Sequence, residues 1–257
     1  MTAARSAIDP ILLMRRTRTL VDANRASAAR PLLDALRRLD PDPGDFADLE
    51  ARLLVREGRQ DDAVAVLDGA IERNGADRRL LLHRSELRMV MGNLMLAADD
   101  AAAALIAEPK DTQAKAVLGL ALIRLGRSAE AATCLTEAVA ASPSHPGFRQ
   151  ALAEALEAAG QKDAAAATLD AALARWPSHL PLRLAAIMHA MRSRTFQRAV
   201  DLAQAARGLG VADARIFGLL GHALSNQGRH AEASDAYAEA LKLAPEDANV
   251  RHLVRAS

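Results

Sequence analysis

Residues 116–143 read AVLGLALIRLGRSAEAATCLTEAVAASP. Small and apolar residues recur at helical spacing in both halves: Ala116, Gly119, Leu120 and Ile123 in the first, Ala131, Leu135 and Ala138 in the second. Gly126 interrupts the run and Pro143 ends it. Glycine takes the left-handed conformation that closes a helix without steric cost, and proline cannot continue one. The stretch therefore predicts two helices of about a dozen residues with a tight turn between them.

Both stops recur every 34 residues. The proline position reads Pro41, Gly75, Pro109, Pro143, Pro177, Val211 and Pro245. The glycine position, seventeen residues earlier, reads Asn24, Gly58, Gly92, Gly126, Gly160, Arg194 and Gly228. Five residues beyond it an alanine stands in every unit: Ala29, Ala63, Ala97, Ala131, Ala165, Ala199 and Ala233. Seven residues further on comes a second small position, Leu36, Ala70, Ala104, Ala138, Ala172, Ala206 and Ala240. A third lies in the first helix: Thr17, Ala51, Ser85, Gly119, Ala153, Ile187 and Gly221. Small side chains at these spacings let two antiparallel helices approach closely, while Leu33, Leu67, Leu135, Leu169 and Tyr237 supply buried volume. Seven units, 10–43, 44–77, 78–111, 112–145, 146–179, 180–213 and 214–247, follow a lead-in of residues 1–9. Residues 248–257 are left for a short capping helix or the start of a linker.

Composition points the same way. Alanine contributes 60 residues and aromatics only 2%, so strand formers are too scarce for a β-rich domain. At 51% apolar and 25% charged residues the chain is a folded protein, not a disordered one. A formal net charge of +1 gives no global field for nucleic acid or an anionic membrane. The excess of 29 arginines over four lysines, with so much alanine, points to a GC-rich bacterial coding sequence. Cys134 is the only cysteine, which rules out an intramolecular disulfide. The opening MTAARSAIDPILLMRR has an apolar run of only four residues behind Asp9 and Pro10, unlike the h-region of a signal peptide. No stretch approaches the roughly 18 apolar residues of a membrane span, so a soluble cytoplasmic protein is expected.

The unit resembles the tetratricopeptide repeat, whose pattern is a small residue at position 8, glycine at 15, alanine at 20, an apolar or aromatic residue at 24, alanine at 27 and proline at 32. The likeness covers residues 10–247 without insertion. It implies an all-α fold, a right-handed α-solenoid of antiparallel helix pairs. The family's tryptophan at position 4 and tyrosine at 11 are absent; position 11 reads Leu20, Leu54, Arg88, Leu122, Leu156, Ala190 and Leu224, so aliphatic packing replaces aromatic packing. Two units depart further. The first has Arg16 and Thr17 where small or apolar residues belong, and Pro31 four residues into its second helix, where first-turn N–H groups lack partners anyway. The sixth has Arg194, Val211 and Ile187 at punctuating and small positions, and looser geometry is expected there. Val250, Leu253 and Val254, at i, i+3 and i+4, suit a helix covering the last repeat. Pro245–Ser257 also resembles the segment that in some bacterial proteins joins such repeats to an S-adenosylmethionine-dependent methyltransferase domain.

The resemblance further implies that first helices line a concave face through positions 2, 5, 6, 9, 12 and 13. Units one to three then present Arg15, Arg18, Arg52, Arg56, Arg79 and His83 beside Asp45, Asp48 and Glu86. Unit four presents Ala116, Val117, Leu120 and Ile123; unit five turns acidic with Glu154 and Glu157; units six and seven offer Leu184, Met188, Met191, Arg192, His222 and Asn226. An exposed helix face carries charge in any case, but apolar residues at four groove positions of one unit mark a contact site, unless close packing of neighbouring units covers part of the patch. The expected partner is an extended or helical segment of another protein. The clamp by which the chaperone-binding branch of the family holds a C-terminal carboxylate, Lys at position 5 with Asn at 9, is excluded: the pairs here run from Met14/Arg18 through Ala116/Leu120 to Gly218/His222, and none fits.

Nothing in the sequence starts a catalytic reading. It lacks GxxxxGK[ST], GxSxG and HExxH. Gly208 and Gly210 form a GxG at a repeat junction with no strand before it, which reads as a loop. The histidines include no i, i+4 pair, and His145 and His179 follow the repeat proline as turn residues, so no metal is expected. The cluster Arg15, Arg16, Arg18 is soon followed by Asp22, Asp34, Asp40, Asp42, Asp45 and Asp48, and aromatics are too few to stack on bases, so nucleic acid is not expected either. The sequence thus predicts a non-catalytic scaffold without cofactor; the alternative is an adaptor or substrate-recruiting portion of a larger enzyme, such as a methyltransferase or other transferase.

Overall fold

The computed structural model of the chain describes residues 9–246, together with 248 and 251. Among these residues it is wholly helical, with fourteen α-helices and no strand. The odd-numbered helices are the first of each repeat: α1 (Pro10–Asp22), α3 (Pro43–Arg56), α5 (Arg78–Val90), α7 (Thr112–Arg124), α9 (Pro146–Ala158), α11 (Leu180–Arg192) and α13 (Ala214–Asn226). The even-numbered are the second: α2 (Ala26–Arg37), α4 (Gln60–Asn74), α6 (Leu94–Ala107), α8 (Ser128–Ala141), α10 (Lys162–Arg175), α12 (Phe196–Gly208) and α14 (His230–Leu243). The chain forms two compact units that divide between Leu125 and Gly126, in the turn after α7.

The turn within each repeat is set by one residue. Gly58, Gly92, Gly126, Gly160 and Gly228 have φ between 75° and 84°, and Asn24 (56°) and Arg194 (57°) adopt the same left-handed conformation without being glycine. The predicted looseness of the sixth unit is therefore not found: Arg194 holds the turn, Gly210 (φ 72°) replaces the missing proline stop, and Ile187 is fully buried. The first helices carry a device of their own. Asp9, Asp42, Asp77, Asp111 and Asp213 each accept a backbone N–H of the first turn at 2.7–2.9 Å, satisfying a donor that the helix cannot. Pro31 lies deeper in its helix than the sequence predicts. Helix α2 starts at Ala26, so Pro31 lies beyond the first turn, and its missing N–H leaves the carbonyl of the exposed Ser27 to water. The predicted closing helix through Val250, Leu253 and Val254 lies outside the described residues.

In the first unit each second helix packs between the first helix of its own repeat and that of the next. Successive first helices also touch, α1 with α3, α3 with α5 and α5 with α7, whereas no two second helices do. First helices thus form the closer-packed side of the unit. Inside, Ala29, Ala63 and Ala97 are fully buried, as are Leu36, Ala70 and Ala104. At the third small position the Ser85 hydroxyl donates to the Ala97 carbonyl at 2.6 Å, which fixes how near α5 and α6 come. Arg88, where the family has tyrosine, joins a closed ionic cluster. Asp100, only 4% exposed, accepts from Arg84 Nε (3.0 Å) and Nη2 (2.6 Å) and from Arg88 Nη1 (2.8 Å), and both guanidiniums also reach Asp68. Burial works against the Arg84 charge, but the two carboxylates outweigh it and raise its pKa.

The second unit repeats this arrangement, with α9 against α11 and α11 against α13. Gly221 on α13 faces the Tyr237 ring of α14 so closely that a Cβ there would collide with ring carbons Cε1 and Cδ1. The largest side chain at position 24 is matched by the smallest at position 8. Trp176, the only tryptophan, lies under Arg175 (5.0 Å) and Arg149 (6.0 Å), both of which donate to the Pro143 carbonyl. Arg183, where the family has tryptophan, is buried and donates to the carbonyls of Pro177 and Leu202.

Left-handed conformations cost a residue with a Cβ about 1–2 kcal/mol, so Arg194→Gly is expected to stabilise the chain by about 1 kcal/mol in urea unfolding; destabilisation would contradict the role of this position. Gly221→Ala should cost about 1–3 kcal/mol by overpacking, even though alanine is the better helix former. Adding Tyr237→Leu should recover most of that loss, and no recovery would place the strain elsewhere.

Candidate partner-binding faces

The faces of interest are those of the first helices, the closer-packed side of each unit. In the first unit two adjoining hollows form across α3 and α5. One, of about 370 Å³, is lined by Asp48, Arg52, Arg79, His83 and Glu86 among others. The other, of about 260 Å³, is lined by the apolar Val21, Val55, Leu87 and Val90 and by Arg52, Arg56, His83 and Glu86. The sequence-predicted Arg52, Arg56, Arg79, His83 and Glu86 are thus brought together. Arg15 and Arg18 are exposed on α1 and line neither hollow.

Most of these charges are matched locally. Asp48 accepts from Arg52 Nε at 2.9 Å and lies 2.8 Å from His83 Nδ1. Burial pushes the Asp48 carboxyl up, but His83 and Arg52 outweigh burial and hold it below its usual range. Arg79 donates to Asp45 at 2.6 Å and to Asp77 at 3.3 Å, and these carboxylates raise its pKa.

On α7 the predicted apolar patch contracts. Ala116 and Val117 are 4% and 5% exposed, with Val117 packed in the core cluster that holds Leu81, Leu82 and Ala101. Close packing of successive first helices turns these positions inward. Leu120 remains 37% exposed and Ile123 is half-buried.

The second unit holds a concavity of about 570 Å³ between α9 and α11. Glu154, Glu157, Leu184, Met188 and Arg192, all read from the sequence, line it together. Gln150, Pro181 and Arg215 also line it; all three occupy groove positions 5 or 2 of their units, so the position rule itself held the signal for Pro181 and Arg215. Met188 is 44% exposed. Glu157 accepts from Arg192 Nε at 2.7 Å and from Nη2, and Oε1 lies 3.3 Å from the buried His189 Nδ1. The Arg192 bond, against the effect of burial, holds the Glu157 carboxyl below its usual value. Three predicted residues stand apart. Met191 is half-buried against the core of the last two repeats. The Asn226 amide donates to the His222 carbonyl at 2.8 Å, and the His222 ring meets Tyr237 edge-on at 5.6 Å.

Among the described residues no three His, Cys, Asp or Glu side chains are grouped so as to hold a metal ion, and no helix is long and apolar enough to cross a membrane.

These features can be set beside known proteins. A tetratricopeptide-repeat family profile matches residues 15–78, 82–146 and 116–179, and a second matches 214–247. No curated protein sequence matches the chain. Among solved structures, a tetratricopeptide repeat protein from Parabacteroides merdae superposes with a TM-score of 0.72 at 17% identity, over 96% of this chain and 97% of that one. PilW, a widely conserved type IV pilus biogenesis factor, gives 0.70 at 18% identity, over 83% and 99% of the two chains. YrrB, described as a repeat protein of this type with an unusual peptide-binding site, gives 0.52 at 18% identity, over 72% and 96%. At these identities the structures speak for the fold alone. None of these matches is a methyltransferase, and the likeness of Pro245–Ser257 to a methyltransferase-joining segment finds no support in them. The family profiles, covering well over half the chain, together with the seven left-handed turns and the buried alanines, show that the chain belongs to the tetratricopeptide-repeat family.

Proposed function

We propose that this protein is a non-catalytic scaffold that holds segments of a partner protein against the faces of its first helices. The observation that carries this reading is the concavity between α9 and α11. Concave sites with a partly apolar lining and a few polar groups at the edge are where ligands gain most from leaving water. Here the exposed thioether of Met188 and the half-buried Leu184 form such a lining, and Glu154 and Arg192 stand beside them. Methionine adapts its shape to what it meets, which suits a surface for peptide side chains. The fold supports the reading in general terms, since repeat arrays of this family present continuous helix faces, not loops, to their partners.

The test compares two exposed positions of the second unit. A partner captured from the source cell by cross-linking is expected to bind Met188→Glu at least tenfold more weakly, about 1.4 kcal/mol, than the parent chain. Ala171→Glu, on the exposed side of α10, should bind as the parent does. Circular dichroism should show all three equally helical. Equal binding by both variants would refute the assignment of this face.

A further inference from the structure

We infer that the concavity between α9 and α11 takes a partner segment that carries a lysine or arginine close to an aliphatic or aromatic side chain. This rests on the scaffold reading above and adds the chemistry of what is bound. Four charged side chains reach the hollow: Glu154, Glu157, Arg192 and Arg215. Three of them are already matched. Both oxygens of Glu157 accept from Arg192. Arg215 donates through Nε (3.0 Å) and Nη2 (2.9 Å) to Asp213, whose carboxyl is held below its usual value chiefly by that contact.

Glu154 is the remainder. It is exposed, one helical turn before Glu157, and the charge of Arg192 reaches it only from a guanidinium already bonded at Nε and Nη2 to Glu157. The residue one repeat later at the same helix position is Met188, which is apolar and cannot neutralise it. The hollow therefore pairs an apolar lining, with Ala153, Leu184 and Met188, with one unmatched negative charge at its edge. A cation on the ligand gains there, and a carboxylate is repelled, because closing the hollow removes the water that screens Glu154.

Selecting a displayed random-peptide library on the full chain, on Glu154→Lys and on Met188→Glu tests this. The parent should enrich sequences with Lys or Arg within about four residues of an aliphatic or aromatic side chain. Glu154→Lys should enrich Asp or Glu in place of the cation, and Met188→Glu should lose the enriched peptides. For one selected peptide, changing its basic residue to Gln should weaken binding roughly fivefold to the parent and not to Glu154→Gln. Enriched peptides that Met188→Glu abolishes, but that lack a cation or ignore Glu154→Lys, would overturn the inference and leave the scaffold reading standing. No enrichment, or enrichment that Met188→Glu leaves untouched, would overturn both for this face.

Discussion

The rest of the structure depends on how closely the two helices of a repeat approach. Ala29, Ala63, Ala97, Ala131, Ala165 and Ala199 are fully buried and Ala233 nearly so; the position seven residues on is fully buried in every repeat. A methyl group at both sites, as in every repeat but the first, lets backbone meet backbone, and the gain is dispersion spread over the whole contact. The bond from the Ser85 hydroxyl to the Ala97 carbonyl and the contact of Gly221 with Tyr237 are two local consequences. Close approach also explains why so few aromatics are needed. With little space between the helices, leucine fills what remains, as Leu33, Leu67, Leu135 and Leu169 do, and the glycine at 221 leaves room for the Tyr237 ring.

A fixed packing frees the other side of each helix. The turn conformation, the aspartate caps and the buried alanines recur, so successive first helices place equivalent positions near one another at one-repeat spacing. Charges then meet across repeats. Arg79 reaches Asp45, 34 residues away, His83 reaches Asp48 and Arg192 reaches Glu157, each 35 away. The part-buried cluster of Arg84, Arg88, Asp68 and Asp100 applies the same logic beside the packing, where each charge has a partner and none is left to pay for its desolvation alone.

This spacing marks the boundary of what was legible. Turns and helix pairs could be read because they follow from single residues under strong steric rules, and even Arg194 submits to the rule that glycine satisfies elsewhere. The aspartate caps, standing before the first helix in five of the seven repeats with His145 and His179 in that place in the other two, were equally readable. Burial of Ala116 and Val117 was not readable from position alone, because small rotations of a first helix decide whether positions 5 and 6 face the groove or the neighbouring helix. Ion pairs needed a comparison between repeats: read unit by unit, Glu157 and Arg192 are two solvated charges, and read one period apart they are a pair.

Recognition by such an array is then a matter of what the pairing leaves over. A salt bridge between adjacent repeats presents little net field to a ligand, so Arg79, Arg192 and Arg215 contribute shape more than charge. At position 9 the sequence runs Arg18, Arg52, Glu86, Leu120, Glu154, Met188 and His222. In the first unit the glutamate at 86 shares a hollow with Arg56 of the preceding repeat, and the two charges oppose each other's field. In the second, Glu154 is followed by Met188, and charge and apolar surface sit side by side. Because the backbone is the same in both places, a single side chain one repeat away decides whether a glutamate balances its neighbour or faces a partner.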